Sequence, residues 1–218
     1  TDMNTNEHTD PIGIDEPAPA FSWKMRSNIV GQKQTAYEIT VSKNSDMTDP
    51  IWDSGKVESG VSAGIVYEGP GFSDSTTYYW QIRVWDKDGS ELVSDTAEFT
   101  TALMSEDAWD KSSFISVGEA APEKGGGVPI FRKEFSAQKQ IKSAVLYSTA
   151  LGNYDVYING ERVGELMEDG TTVYDELKPG YTDMGLRVQY QSYDVTHLLN
   201  SDGLNTVSAV VANGWWNN

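Results

Sequence analysis

Apolar residues in this chain recur with a period of two, and that spacing commits it to β-sheet. In Tyr37-Glu38-Ile39-Thr40-Val41 the residues Tyr37, Ile39 and Val41 share one face, and the polar pair takes the other. From Tyr78 to Trp85 one face carries Tyr78, Trp80, Ile82 and Val84, and the other carries Tyr79, Gln81, Arg83 and Trp85. Asp88-Gly89 then supplies a hairpin turn, and Glu91 to Thr100 is predicted to return as the next strand. Helical periodicity is nearly absent. Strands at this spacing with turn residues between them predict an antiparallel sandwich, assigned to residues 11–102.

The composition changes after that point. Ser105 to Trp109 predicts one helical turn, and Glu119 to Gly127 has the composition of a loop, so 103–129 reads as a linker. A second β-rich domain is expected over 130–218. Its strands are Phe131 to Phe135, Ser143 to Leu151, Tyr154 to Ile158, Arg187 to Val195 and Leu204 to Val211. Asn159-Gly160 is the strongest hairpin signal in the chain, because both residues tolerate positive φ. A jelly roll uses about eight strands, so five read as an incomplete one. The last apolar strand runs almost directly into Trp215-Trp216-Asn217-Asn218, where termini usually fray into polar tails. The sequence is therefore read as the front of something longer.

Charge and residue inventory remove several classes of function. The net charge is −17, from 16 Lys and Arg against 33 Asp and Glu. That balance opposes nucleic-acid binding and adhesion to an anionic membrane. It accounts for solubility first, with calcium affinity as the functional alternative. No run of 18 apolar residues exists to span a membrane as a helix, and Thr1 to Asp10 lacks the basic start and apolar core of a signal peptide. There is no cysteine, and the two histidines have no ligand spacing for zinc.

The remaining motifs each have a plainer explanation beside them. Gly60-Val61-Ser62-Ala63-Gly64 matches the G-x-S-x-G pattern of serine hydrolases. A short strand ended by Pro70 follows it, where that chemistry needs a helix. Asp86-Lys87-Asp88-Gly89 looks like the start of a calcium loop but lacks the later ligands, and a turn explains it. Glu168-Asp169-Gly170 and Asp175-Glu176 fall in a polar loop, read as solvated, with a calcium contact as the alternative. Trp85, Trp215, Trp216 and Tyr181 have flat faces suited to stacking on sugar C–H groups, with Asn213 as a polar neighbour. Core packing is the competing role for the tryptophans.

An ordered series of segments carries a resemblance. The first domain has Pro11-Ile12-Gly13-Ile14-Asp15, Pro19-Ala20-Phe21-Ser22-Trp23, Gln34-Thr35-Ala36-Tyr37-Glu38-Ile39 and Tyr79-Trp80-Gln81-Ile82-Arg83-Val84-Trp85-Asp86. The second has Phe131-Arg132-Lys133-Glu134-Phe135 and Gly152-Asn153-Tyr154-Asp155-Val156-Tyr157-Ile158-Asn159-Gly160. Further on come Leu177-Lys178-Pro179-Gly180-Tyr181-Thr182-Asp183, Arg187-Val188-Gln189-Tyr190-Gln191-Ser192-Tyr193-Asp194-Val195-Thr196 and Asn213-Gly214-Trp215-Trp216. Together they resemble the N-terminal region of bacterial α-L-rhamnosidases of glycoside hydrolase family 78. Taken singly, the Asn-Gly hairpin and the Tyr-Asp-Val-Thr stretch also look like the sugar-binding jelly rolls of β-galactosidases and β-glucuronidases.

The resemblance implies an all-β chain: a fibronectin-III- or immunoglobulin-like sandwich, then a truncated jelly roll. In some members of that family the jelly roll binds L-rhamnose through calcium. Hydrolysis occurs in a later (α/α)₆ barrel, where one glutamate acts as general acid and another activates water. No such barrel is present in this sequence, and no catalytic residue is carried over. The residues nominated for carbohydrate contact are Asp183, Asn213, Trp215 and Trp216, with no metal ligand named and calcium as an optional cofactor. The expected partners are a rhamnose-containing carbohydrate and a downstream catalytic domain of the same polypeptide, in an extracellular or periplasmic bacterial setting. A stand-alone carbohydrate-binding module and a non-catalytic spacer are the alternatives.

Overall fold

In the computed structural model, residues 2–117, 127–137, 140–167 and 169–214 are described. They form two compact units, Thr1–Asp110 and Lys111–Asn218. Both are built from strands, with two short 3₁₀ turns at Glu106–Trp109 and Thr196–Leu198. The first of these is the helical turn expected near Ser105.

The first unit contains β1 (Met3–Thr5), β2 (Ile12–Ile14), β3 (Ala20–Trp23), β4 (Gln34–Ser42), β5 (Trp52–Asp53), β6 (Ile65–Val66), β7 (Thr77–Asp86), β8 (Glu91–Val93) and β9 (Ala97–Thr101). One sheet has the order β1-β3-β6 and the other β2-β9-β7-β4-β5, with β8 also on β7. The alternating segments bury the faces expected of them. Tyr78, Trp80 and Ile82 of β7 are buried, as are Tyr37, Ile39 and Val41 of β4, while Arg83 is exposed. The two strands pair antiparallel, with Val41 opposite Trp80 and Ile39 opposite Ile82. Each such cross-strand pair adds to the stability of the sheet.

The facing sheet supplies Phe21, fully buried on β3, with its ring centroid 4.6 Å from Trp80 and 6.0 Å from Phe99. Phe72 continues the series, 4.4 Å from Tyr67 and 4.7 Å from Tyr78. Burying each side chain of this size contributes about 1.5–3 kcal/mol. A continuous packing of rings therefore joins the two sheets.

Two features differ from the pattern read in sequence. Strand β1 precedes residue 11 and pairs with β3, so the polar N-terminal segment also contributes to the sandwich. The predicted strand Glu91 to Thr100 is divided at Ser94, whose N–H donates to the Ile82 carbonyl and whose hydroxyl accepts from the Ile82 N–H. Ser94 thus occupies the backbone groups that a continuous strand would use, and β8 and β9 pair separately with β7. Asp88-Gly89 forms the expected turn, with Gly89 at φ +81°. Asp86 Oδ1 accepts from the Asp88 and Ser90 N–H groups in that turn.

The second unit contains β10 (Ile130–Ser136), β11 (Val145–Ser148), β12 (Asn153–Ile158), β13 (Glu161–Arg162), β14 (Glu165–Leu166), β15 (Thr172–Val173), β16 (Gln191–Asp194) and β17 (Leu204–Ala212). A four-stranded sheet has the order β10-β17-β12-β13, and the pairs β11-β16 and β14-β15 stand beside it. Asn159 and Gly160 make the β12–β13 hairpin turn at φ 51° and 91°. Strands β13, β14 and β15 have two residues each, too short for alternation to reveal. The segment before Gln191 is not strand, so only the C-terminal half of the predicted Arg187 to Val195 element forms.

Tyr154, Val156 and Ile158 of β12 pack with Val163, Tyr193 and Val195 to form the core of this unit. Gly152 is pressed against β17: a Cβ there would collide with the Ala212 carbonyl oxygen. Only glycine permits that approach.

Candidate functional site

The densest chemistry among the described residues lies along the edge of β12. Tyr154, Val156 and Ile158 point into the core, which leaves Asp155 on the opposite, half-exposed face. The β13 hairpin covers only Tyr157 and Ile158 of β12. Beyond it, the Tyr154 N–H donates to the Lys178 carbonyl at 3.1 Å, so the loop after β15 takes over where β13 ends.

That placement brings the Lys178 ammonium 3.1 Å from Asp155 Oδ1, with the lysine side chain only 2% exposed. The rings of Tyr154 and Tyr193 flank it at 5.8 and 5.5 Å, within range for cation–π attraction. Arg162 reaches the same Asp155 oxygen through Nε at 3.1 Å and Nη2 at 3.0 Å, and lies over the Tyr174 ring. Hydrogen bonding to Asp155 raises the already high pKa of this guanidinium.

The tyrosines are also held. The Tyr154 hydroxyl sits 2.6 Å from Gln191 Oε1 and 2.8 Å from the Ser148 carbonyl. Burial pushes its pKa up to about 12, despite the opposing hydrogen bond with the Ser148 hydroxyl at 3.0 Å. The Tyr193 hydroxyl donates to Asp175, and burial first, then that carboxylate, drives its pKa upward. Both phenols therefore stay neutral through the physiological range. With Asp155 shared by two cations and Asp175 bonded to Tyr193, this cluster fixes positions and offers no idle acid–base pair.

Of the nominated sugar-contact residues, Asp183 and Asn213 are described, and neither is part of this cluster. Asp183 is exposed in the loop between β15 and β16, and its Oδ1 accepts from the Gly185 N–H at 3.0 Å. Asn213 is exposed just after β17. Trp215 and Trp216 lie outside the described residues, so their grouping with Asp183 and Asn213 is not established by the geometry. Tyr181 is 71% exposed. Trp85 is half-buried under the Lys56 ammonium at 4.6 Å, so its face is not an open platform. His197 is exposed, and Ser62 of the G-x-S-x-G match sits in a loop leading to β6, not before a helix.

A groove of about 590 Å³ in the first unit is lined by Tyr37, Trp52, Asp53, Ser54, Val57 and Ile65, among others. Two of its polar side chains serve the backbone. Asp53 accepts from the Gly55 N–H, and the Ser54 hydroxyl accepts from the Ile39 N–H. Among the described residues no three His, Asp or Glu side chains converge to hold a metal ion, and no helix is long and apolar enough to cross a membrane.

The β12-edge cluster was not legible in sequence. Lys178 lies in a polar stretch between Leu177 and Pro179, and nothing local marks a lysine for burial. Asp155 occupies an ordinary outward position of a clean alternating strand. Only the two tyrosines, Tyr154 and Tyr193 in the inward phases of their strands, carried a signal.

Comparison with known proteins bears on both units. Residues 1–105 match the family described as Rha78A-like, N-terminal immunoglobulin domain, and residues 139–218 match the alpha-L-rhamnosidase N-terminal domain. The chain belongs to the N-terminal domain families of α-L-rhamnosidases. An alpha-L-rhamnosidase of Formosa agariphila is 29% identical over 97% of this chain and 24% of its own length. One from Alteromonas sp. is 32% identical over 94% of this chain and 22% of its own length. The solved alpha-L-rhamnosidase from Dictyoglumus thermophilum superposes with a TM-score of 0.82 at 35% identity, covering 100% of this chain and 25% of that one. The chain thus spans about a quarter of the length of the α-L-rhamnosidases it matches. Lys178 and Asp155 both lie within the second of the rhamnosidase domain matches.

Proposed function

We propose that this chain is the accessory N-terminal portion of an α-L-rhamnosidase. A catalytic domain further along the same polypeptide would hydrolyse terminal α-L-rhamnose from glycosides or plant polysaccharides. The observation that carries this reading is the consecutive match to two rhamnosidase N-terminal domains, in a chain spanning about a quarter of its relatives. The chemistry of the described residues supports it. Glycoside hydrolysis needs two carboxylates flanking the scissile bond across a cleft, whereas Asp155 and Asp175 are committed to neighbouring side chains.

Assay of an aryl α-L-rhamnoside tests the proposal. The purified 218-residue chain is expected to give no turnover, and the full-length polypeptide to hydrolyse the substrate. Turnover by the chain alone overturns the accessory role, and an inactive full-length protein overturns the activity. The setting is a secreted or periplasmic bacterial enzyme, which fractionation of the source cells checks.

A second reading has the chain bind sugar directly through Asp183, Asn213, Trp215 and Trp216. The exposure of Asp183, Asn213 and the nearby Tyr181 favours it. Calorimetric titration with L-rhamnose, with and without calcium, tests both the binding and the cation. Saturable heat lost in Asp183→Ala supports this reading; no heat in either condition leaves the spacer role.

A further inference from the structure

Between β15 and β16 the chain leaves the sheets over residues 174–190, and it is fastened to the second unit near its ends. At the first end, Asp175 accepts from the Tyr193 hydroxyl, and the Lys178 carbonyl accepts from the Tyr154 N–H. The Lys178 ammonium meets Asp155 at 3.1 Å. The Pro179 carbonyl at that end also accepts from Gln191 Nε2 of β16 at 3.1 Å, and at the other end the Thr149 hydroxyl donates to the Gln189 carbonyl at 2.6 Å. The middle is different. Tyr181 and Leu186 are 71% and 87% exposed, and Asp183 is exposed with them. Within that stretch the Gly185, Leu186 and Arg187 N–H groups donate to Asp183, and the Thr182 hydroxyl donates to the Arg187 carbonyl.

We propose that residues 174–190 form a strap, that Lys178 is its latch, and that losing the Lys178–Asp155 contact frees the strap while the sheets stay folded. This goes beyond the accessory role and does not depend on it. The physical basis is the unequal setting of the two charges. Lys178 is 2% exposed and has Asp155 as its counter-charge; Asp155 is 30% exposed and also holds Arg162. A buried ammonium without a carboxylate carries its full desolvation cost. A carboxylate that keeps a guanidinium does not. The flanking faces of Tyr154 and Tyr193 enclose the lysine in either case, and their cation–π attraction offsets only part of a lost counter-charge. The internal bonds of the middle segment let it move as one piece.

The latch predicts an ordering of variants, read by amide hydrogen exchange on the 218-residue chain. Lys178→Met removes the ammonium and leaves Asp155 paired with Arg162. Exchange over 175–190 should rise about tenfold, while the amides of β12 and β17 hold their protection. Asp155→Ala strands the buried lysine, and exchange of the same segment should rise about a hundredfold. In the unaltered protein, an amine-acetylating reagent should modify Lys178 far more slowly than Lys24, whose side chain is 74% exposed. Acetylation of Lys178 at the Lys24 rate overturns the proposal. So does Lys178→Met exchange that is unchanged, or that rises equally in β12 and β17. Should Asp155→Ala fail to fold, Lys178→Met and the labelling rates decide the question.

Discussion

In the first unit two sheets close over a run of packed rings; in the second a smaller apolar core is braced by polar side chains. Phe21, Trp80 and Phe99 are fully buried and touch across the first sandwich. In the second unit the fully buried side chains include Asn205, whose Oδ1 accepts from the Asn200 N–H at 2.7 Å and from Asn159 Nδ2 at 2.8 Å. Its Nδ2 donates to the Asn200 carbonyl. Asn159 in turn sits in the β12–β13 turn and accepts from the Thr206 N–H. Apolar burial is strong and non-directional, so a large sandwich can rely on shape and volume. A smaller one gains definition from hydrogen bonds that tolerate only one arrangement.

The sharpest break of this comparison is Trp80→Ala. It should cost the first unit about 3–5 kcal/mol, as for other truncations of large core aromatics. Urea unfolding followed by backbone NMR resolves the two units. An equal loss in the second unit would mean that they do not unfold separately. Next in size, Asn205→Ala removes the acceptor of the Asn200 N–H, while Asn159 Nδ2 keeps the Leu198 carbonyl, and should cost the second unit about 1–3 kcal/mol. A cost below that of a surface substitution would show that apolar packing, not the asparagine hub, braces this unit.

A smaller effect separates the units at alkaline pH. Burial raises the pKa of Tyr67 in the first unit and of Tyr154 in the second from 10.0 to about 12, and it raises Tyr193 of the second as well. A pKa raised on folding means that the neutral phenol is favoured in the native state. The resulting stability is complete below pH 10 and is lost as pH rises through the folded values. Denaturation at pH 9 and pH 11 should therefore weaken both units, and the second more, because it holds two such phenols. Phenolate absorbance measured alongside identifies the groups.

The smallest effect concerns Asp74, which accepts from the Met104 and Ser105 N–H groups and the Ser105 hydroxyl, where the chain leaves β9. The hydroxyl bond is the largest cause of its lowered pKa. Its contribution is present above the ordinary carboxylate range and fades as pH falls through the lowered value. Asp74→Ala should reduce the melting temperature of the first unit slightly at neutral pH and leave that of the second unchanged.

Much of the architecture was present in local patterns. Tyr37 to Val41 and Tyr78 to Trp85 bury the faces that their alternation predicts, and Asp88-Gly89 and Asn159-Gly160 turn where their chemistry allows positive φ. Period and turn residues act over a few neighbours, so they can be read along the chain. The same ordered segments carried the resemblance to α-L-rhamnosidases that the domain matches bear out. What the linear order did not hold was the role of residues whose partners are remote. Ser94 divides a strand because it meets Ile82, and Lys178 is buried because a loop lays it against Asp155 between two tyrosines. A lysine's environment is set by every segment that surrounds it, and its desolvation is offset only when those segments converge. Periodicity thus determined the β-sheets and their inward faces, while the tertiary structure alone decided which polar groups are enclosed and what compensates them.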